Sequence, residues 1–297
     1  MPSSAERKIR AGLPIIRFLE GYLPLSLIRW TLQQSTARAR VPADVTRQAV
    51  SADGVACEWL VPQNSPADRA LLYLHGGGFV YGLTPQHIQM VASLAQKMGI
   101  RALLVDYRLA PEHPFPAPLD DCVTAYRWLR EQGFPAQNIV VAGDSAGGNL
   151  TITMMMKLRD NGEQLPAAAA CLSPAADLSD SGPLSQRHGD SLLHPRAVRF
   201  FTASYSAHHD PRNPLISPVF GDWRGLPPLL VHAGEDEMLR DDAVRIEELA
   251  RAAGVHARLE IYPRMWHVWQ IFPALPEARQ SLDDIAQFLR SHLPRSQ

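Results

Sequence analysis

Val140-Val141-Ala142-Gly143-Asp144-Ser145-Ala146-Gly147-Gly148 is an apolar run that breaks into Gly-x-Ser-x-Gly, the sequence form of a strand, a very tight turn and a helix. It marks Ser145 as a candidate nucleophile. A turn of that sharpness holds the serine in a strained backbone conformation. A side chain at Gly143 or Gly147 would collide with neighbouring backbone, so glycine is needed on both sides. A serine hydroxyl alone is inert at neutral pH. The same chain must therefore supply a base, an orienting acid and an oxyanion site.

The oxyanion site is sought upstream, at Leu71-Leu72-Tyr73-Leu74-His75-Gly76-Gly77-Gly78-Phe79, which reads as a buried strand running into three glycines. Without side chains there, the N–H groups of Gly77 and Gly78 can approach a substrate oxygen, and the N–H of Ala146 can add a third donor. A phosphate loop would instead require Gly-Lys-Ser/Thr, or Gly-x-Gly-x-x-Gly opening a helix. Neither pattern is present.

Around these two stretches, short β-rich runs alternate with helix-length segments, the pattern of an α/β sheet. Strands are expected at 70–74, 102–106, 139–142, 168–172, 229–232 and 258–262. An earlier pair, suggested by Val50 and 57–61, is joined by the hairpin signal Asp53-Gly54. Helices are expected at 86–98, 119–131, 149–161, 242–253 and 278–292.

His75-Gly76-Gly77-Gly78 together with Gly143-Asp144-Ser145-Ala146-Gly147-Gly148 resembles the bacterial hormone-sensitive-lipase family of esterases. Two further blocks agree: the Asp106-Tyr107-Arg108-Leu109-Ala110-Pro111-Glu112-His113-Pro114-Phe115-Pro116-Ala117 segment and Ser173-Pro174-Ala175-Ala176-Asp177-Leu178. The likeness runs from about residue 70 to the C-terminus, whereas residues 1–45 carry no matching motif. It implies an α/β-hydrolase fold, with a mostly parallel central sheet flanked by helices. The catalytic domain would span 46–297, with a helical cap built from residues 1–45 and from 180–212. It also implies hydrolysis of carboxylic esters of short to medium acyl chains, without a cofactor. A homodimer through the outer edge strand near 258–262 is a further implication of the family.

Chains of this fold present serine, then acid, then histidine in sequence order. The late histidines are His256, His267 and His292. His256 precedes a strand pattern and His292 lies in a terminal amphipathic segment, so both read as surface residues. His267 follows that strand through Tyr262-Pro263-Arg264-Met265-Trp266, which places it at the strand's carboxyl end beside the elbow. It is the expected base. The family usually carries a small residue near this histidine; here Trp266, Val268 and Trp269 flank it.

The stretch His232-Ala233-Gly234-Glu235-Asp236-Glu237-Met238-Leu239-Arg240-Asp241-Asp242 offers five carboxylates after a strand. Only one can face His267. Laying the family pattern on Leu239 and Asp241 puts the acid at Glu237, a position that is usually aspartate, with Asp236 as the alternative. Glutamate can accept the imidazole N–H and stabilise the imidazolium as aspartate does. Asp241 and Asp242 are expected to cap the following helix.

In the proposed cap, Ile9, Leu13, Ile16, Leu19, Leu23, Leu27 and Trp30 recur at helical spacing, with Pro14 and Pro24 bending or dividing the segment. The second stretch carries Leu192, Leu193, Val198, Phe200, Phe201 and Tyr205. Together they are expected to close an apolar acyl or alcohol pocket over the site. His208-His209-Asp210 reads as a solvated turn, and no metal is expected.

Composition narrows the partners. With 46% hydrophobic and 20% charged residues in 297, the chain can bury a large core. Its net charge of -1 and scattered basic residues argue against nucleic acid or an anionic membrane as ligand. Cys57, Cys122 and Cys171 have no metal-ligand spacing, and the first residues lack a signal-peptide apolar stretch. A cytoplasmic protein with free thiols and no membrane insertion is the expectation, acting on a small-molecule ester. The same residues could serve a lactonase, an amidase or a deacetylase of small metabolites. A ligand-binding receptor on this architecture is disfavoured because serine, acid candidate and histidine are all present.

Overall fold

The computed structural model describes residues 4–179 and 190–294; the first part of the expected second cap segment, 180–189, lies outside them. At its centre is an eight-stranded sheet. The strands are β1 (Val45–Ala52), β2 (Val55–Pro62), β3 (Ala70–Leu74), β4 (Arg101–Val105), β5 (Ile139–Asp144), β6 (Ala168–Leu172), β7 (Leu229–Gly234) and β8 (Ala257–Tyr262). Their spatial order is β1-β2-β4-β3-β5-β6-β7-β8. The first two strands form the expected hairpin, with Asp53 and Gly54 both at positive φ. β2 joins β4 antiparallel, and all later pairings are parallel.

The helices are α1 (Ser4–Tyr22), α2 (Leu25–Thr36), α3 (Pro85–Met98), α4 (Ala117–Glu131), α5 (Ala146–Asp160), α6 (Pro195–Ser206), α7 (Arg240–Ala252) and α8 (Pro276–Ser291). The period of two along the strands sorts them into layers. Leu71 and Tyr73 of β3 face α3 and α8, where they meet Val91, Leu94 and Ile285. Leu72 and Leu74 face the opposite layer, where α4 and α5 bring Leu119, Leu150 and Met154. α7 lies on this second side, with Ile246 against Val231 of β7. Burial on both faces explains why the central strands read as unbroken apolar runs.

Several helices begin one to three residues before the sequence-based expectation. α3, α4 and α8 have proline within their first two positions, where its missing N–H costs nothing. Pro24 divides α1 from α2, whereas α1 continues through Pro14. The apolar stripe of the N-terminal segment does not bury as a unit. Ala5, Ile9 and Leu13 pack against Met265, Trp266 and Trp269. Ile16, Leu23, Leu27 and Trp30 are exposed, because α1 docks on its first turns and α2 takes a new direction after Pro24.

The carboxyl ends of β3, β5, β7 and β8 open on the same edge of the sheet, where open α/β sheets place their ligands. Among the described residues no helix is long and apolar enough to cross a membrane.

Candidate active site

Ser145 sits between β5 and α5 with φ 52° and ψ −117°, a conformation costly for any residue with a side chain. The elbow is held from three directions. Ser145 N–H donates to the Leu172 carbonyl at 2.8 Å, and its own carbonyl accepts from Asn149 and Ala175 N–H. Asn149 then donates its side-chain amide to the carbonyls of Ala175 and Ile216. A Cβ on Gly143 would strike the Gly147 carbonyl, and one on Gly147 would strike the carbonyl of Leu74. Both flanking glycines are therefore required by backbone contact.

His267 lies on the loop after β8, and its Nε2 stands 2.9 Å from Ser145 Oγ. The loop is anchored by Val268, whose N–H donates to Ser173 Oγ at 3.1 Å. Val268 has φ 48°, which a β-branched residue adopts only under constraint. His256 and His292 lie elsewhere on the surface, their rings 6.3 Å apart.

Of the five carboxylates after β7, the structure turns Glu237 inwards. Glu237 is fully buried, with Oε2 3.4 Å from His267 Nδ1, an ion-pair separation longer than a formed hydrogen bond. Such contacts are often loose in a protein without substrate. Asp236 points outwards, 40% exposed, and pairs with Arg10 of α1 at 3.2 Å. Glu235 accepts the Arg264 N–H. Asp241 is half-buried in the first turn of α7.

Asp242 does not cap its own helix as expected. It is buried, and its Oδ2 accepts from the N–H groups of Ala176 and Asp177. These donors arrive from the loop after β6, so packing of α7 against that loop outcompetes a local cap. α7 has no side-chain cap at all.

Electrostatics follows burial. Desolvation raises the Glu237 carboxyl, with His267 and the Ser173 hydroxyl pulling against it. Burial also opposes charge on His267, but Glu237, and then Asp190 and Asp144, outweigh it and lift the imidazole above its ordinary value.

Gly77 and Gly78 have φ 112° and 60°, conformations that favour glycine, and both line the cavity beside Ser145. Ala146 is the first residue of α5, where a helix N–H has no intrahelical acceptor. The three donors expected around an oxyanion therefore border one cavity. Phe201 of α6 fills the space a side chain at Gly78 would need.

A buried network missed by sequence reasoning supports this loop. The Asp144 carboxylate accepts from Tyr73 OH at 2.8 Å, Gly76 N–H at 3.0 Å and His87 Nε2 at 3.2 Å. The tautomer of His87 is set by Thr84, whose N–H donates to His87 Nδ1 and leaves the proton on Nε2. Burial works against the Asp144 charge, yet His87 and Tyr73 hold its carboxyl below the usual range. His75 stacks on Tyr107 with centroids 4.2 Å apart, and burial pushes its pKa down to about 4. The available signal was the polar x of Gly-x-Ser-x-Gly, a buried carboxylate in need of donors.

Asp190 was also missed. It is buried, accepts from Leu192 and Leu193 N–H through Oδ1, and accepts Met238 N–H through Oδ2 at 2.9 Å. It thus ties the approach to α6 to the residue after Glu237.

The cavity over Ser145 measures about 340 Å³. Its apolar wall includes Leu192, Leu193, Val198, Phe201, Met238 and Ile271. Among the described residues, α6 and its approach contribute to that wall and residues 4–45 do not. His208 is exposed and His209 packs edge-on to Phe115. Among the described residues no three His, Cys, Asp or Glu side chains are grouped to hold a metal ion.

A strained serine between a central parallel strand and a helix, facing a histidine beyond the last strand, is the arrangement of the α/β hydrolases. A family model for the α/β-hydrolase fold matches residues 71–271. An acetyl-hydrolase of Streptomyces hygroscopicus is 42% identical over 84% of this chain and 83% of its own length. An esterase of Acinetobacter venetianus is 37% identical, over 80% of each chain. The crystal structure of an esterase from the bacterial hormone-sensitive lipase family superposes with a TM-score of 0.93 at 39% identity, covering 99% of this chain and 100% of that one. The chain belongs to the bacterial hormone-sensitive-lipase family of α/β hydrolases and is a serine carboxylesterase.

Proposed function

We propose that the protein cleaves carboxylic esters of short to medium acyl chains through a covalent acyl-enzyme on Ser145. The observation that carries this reading is the 2.9 Å contact between Ser145 Oγ and His267 Nε2. His267 takes the serine proton as Oγ attacks the ester carbonyl, and Glu237 orients the ring and stabilises the imidazolium. The N–H groups of Gly77, Gly78 and Ala146 hold the tetrahedral oxyanion. The C–O bond to the alcohol then breaks, with His267 returning the proton to the leaving oxygen. Water repeats the sequence on the acyl-enzyme and releases the acid.

The size of the cavity, about 340 Å³, lies at the small end of ligand pockets and supports the chain-length limit. The α6 segment serves as the lining side of a cap. Residues 4–36 brace it from behind through Arg196, whose guanidinium lies over the Tyr22 ring of α1.

Ser145→Ala tests the scheme. Its turnover of p-nitrophenyl butyrate should fall by roughly 10⁵-fold or more with the fold retained. Near wild-type turnover would refute the assignment. A panel of acetyl to dodecanoyl esters, lactones and an amide measures the breadth of the activity.

A further inference from the structure

Among the described residues, three acidic or basic side chains other than histidine reach the cavity wall: Asp144, Asp177 and Arg199. The two carboxylates are committed inside the protein. Asp144 is held by Tyr73, Gly76 and His87. Asp177 is paired with Arg245 at 2.7 Å and accepts from Ser179 N–H. Arg199 differs from both. It is exposed, and among the described residues it makes no hydrogen bond, ion pair or cation-π contact.

Its position is set by helix periodicity. Pro195, Val198, Arg199 and Thr202 all border the cavity, at spacings of three, four and seven that form one face of α6. Arg199 therefore shares its face with residues that line the substrate space. Among the described residues, the uncompensated charge of this cavity is one guanidinium at its rim, next to an apolar wall of Leu192, Val198 and Phe201. A guanidinium binds a carboxylate through two parallel hydrogen bonds, a geometry no neutral ester group can match.

We propose that Arg199 is a specificity residue that selects esters carrying a carboxylate on their acyl or alcohol part. This inference rests on the ester-hydrolase reading of the same cavity and names its substrate class. Because the side chain is exposed, solvent screens the attraction, and the preference should be roughly three- to tenfold.

The test compares esters that differ only by a carboxylate in place of a methyl group. For the acyl arm, p-nitrophenyl hydrogen glutarate is set against p-nitrophenyl valerate; for the alcohol arm, 4-acetoxybenzoate is set against 4-acetoxytoluene. In each pair the ratio of kcat/KM for the charged over the neutral ester is read in wild type, Arg199→Lys, Arg199→Gln and Arg199→Glu. The ratio should fall roughly three- to tenfold in Arg199→Gln, fall further in Arg199→Glu and be only partly kept in Arg199→Lys, which retains the charge but not the two-pronged geometry. The arm that responds shows on which side of the ester the anion lies. A second reading needs no variant at position 199: raising salt from 20 to 500 mM should lower the wild-type ratio for that pair. Ratios constant within twofold across the variants and across salt, in both arms, would overturn the proposal. Calorimetric binding of the same pairs to Ser145→Ala separates the two layers. Absence of turnover in wild type counts against the hydrolase reading, whereas equal binding of charged and neutral esters counts against Arg199.

Discussion

The carboxylate of Asp144 accepts the Gly76 N–H at 3.0 Å, so the residue before Ser145 holds the loop that carries Gly77 and Gly78. All three partners of this carboxylate are donors, and Asp144 is buried. Asp144→Asn leaves one acceptor oxygen and turns an amide NH₂ towards the donors on the other side. We expect a loss of about 3 kcal/mol or more in urea unfolding, in line with breaking a buried charged network. The oxyanion loop should loosen as well, lowering kcat by roughly 100-fold while KM changes less. Unchanged stability would show that the network carries none of this load.

Glu237 and Asp236 are neighbours with opposite fates, and substitution should separate them. In the proposed scheme activity requires neutral His267, so it falls as pH drops through the imidazole pKa. Glu237 helps to raise that pKa, which places the acid limb of kcat/KM above about 6.5. In Glu237→Gln the raising charge is gone while burial remains. The midpoint should therefore move to lower pH, with kcat reduced by roughly 10³- to 10⁴-fold. Asp236→Ala removes a half-exposed pair with Arg10, and should cost under about 1 kcal/mol with kcat within about threefold of wild type. A pH–rate series on the three proteins decides; an acid limb that stays put in Glu237→Gln removes Glu237 from the site.

Two glycine-to-alanine changes should have opposite signs. At Gly147 a Cβ would meet the carbonyls of Leu74 and His75, so Gly147→Ala should lose about 3 kcal/mol or more, or fail to fold. At Gly12, inside α1, an added methyl would have nothing within 4 Å of it. Gly12→Ala should gain about 0.5–1 kcal/mol from helix propensity alone. Thermal melts of both variants check the contrast.

Asp242 gives a stability effect with a defined pH window. Burial pushes its pKa up to about 7, from an ordinary value of 3.8. The folded state therefore holds a proton between those values that the unfolded state has released. The resulting stabilisation is complete below 3.8 and is lost as pH rises through 7. Asp242→Asn should remove that slope between pH 5 and 8, a comparison made by denaturant unfolding at each pH. A slope identical to wild type would mean that Asp242 stays ionised throughout.

The parts legible in the sequence are those whose cause is local. Ser145, Gly143 and Gly147 are dictated by one turn, and His267 by its distance past a strand end. The alternation of apolar strands and helix-length segments gave the layers for the same reason. Contacts set by packing between distant segments were not legible. The Asp242 carboxylate serves Ala176, which is 66 positions away, and no local rule points there. Asp190 reaches Met238 across 48 positions. The expected burial of Ile16, Leu23, Leu27 and Trp30 failed for a related reason: helical spacing defines a face but not what that face meets. Choosing between Asp236 and Glu237 needed the backbone of a single turn, since successive side chains there point to opposite sides.

The clamp at Glu6 joins the first helix to the far end of the sheet. This buried carboxylate binds Arg10 within α1 and Arg264 at 3.1 Å, a partner 258 positions later in the chain. Arg10 in turn holds the Arg264 carbonyl and Asp236. Contacts of such sequence separation carry a loop-closure entropy that the packing around them must offset. The docking site of α1 is therefore built partly by the loop after β8, the same loop that presents His267. The first helix and the segment that carries His267 are thus tied together by one buried carboxylate, so a change at Glu6 reaches the neighbourhood of Ser145 without touching the cavity wall.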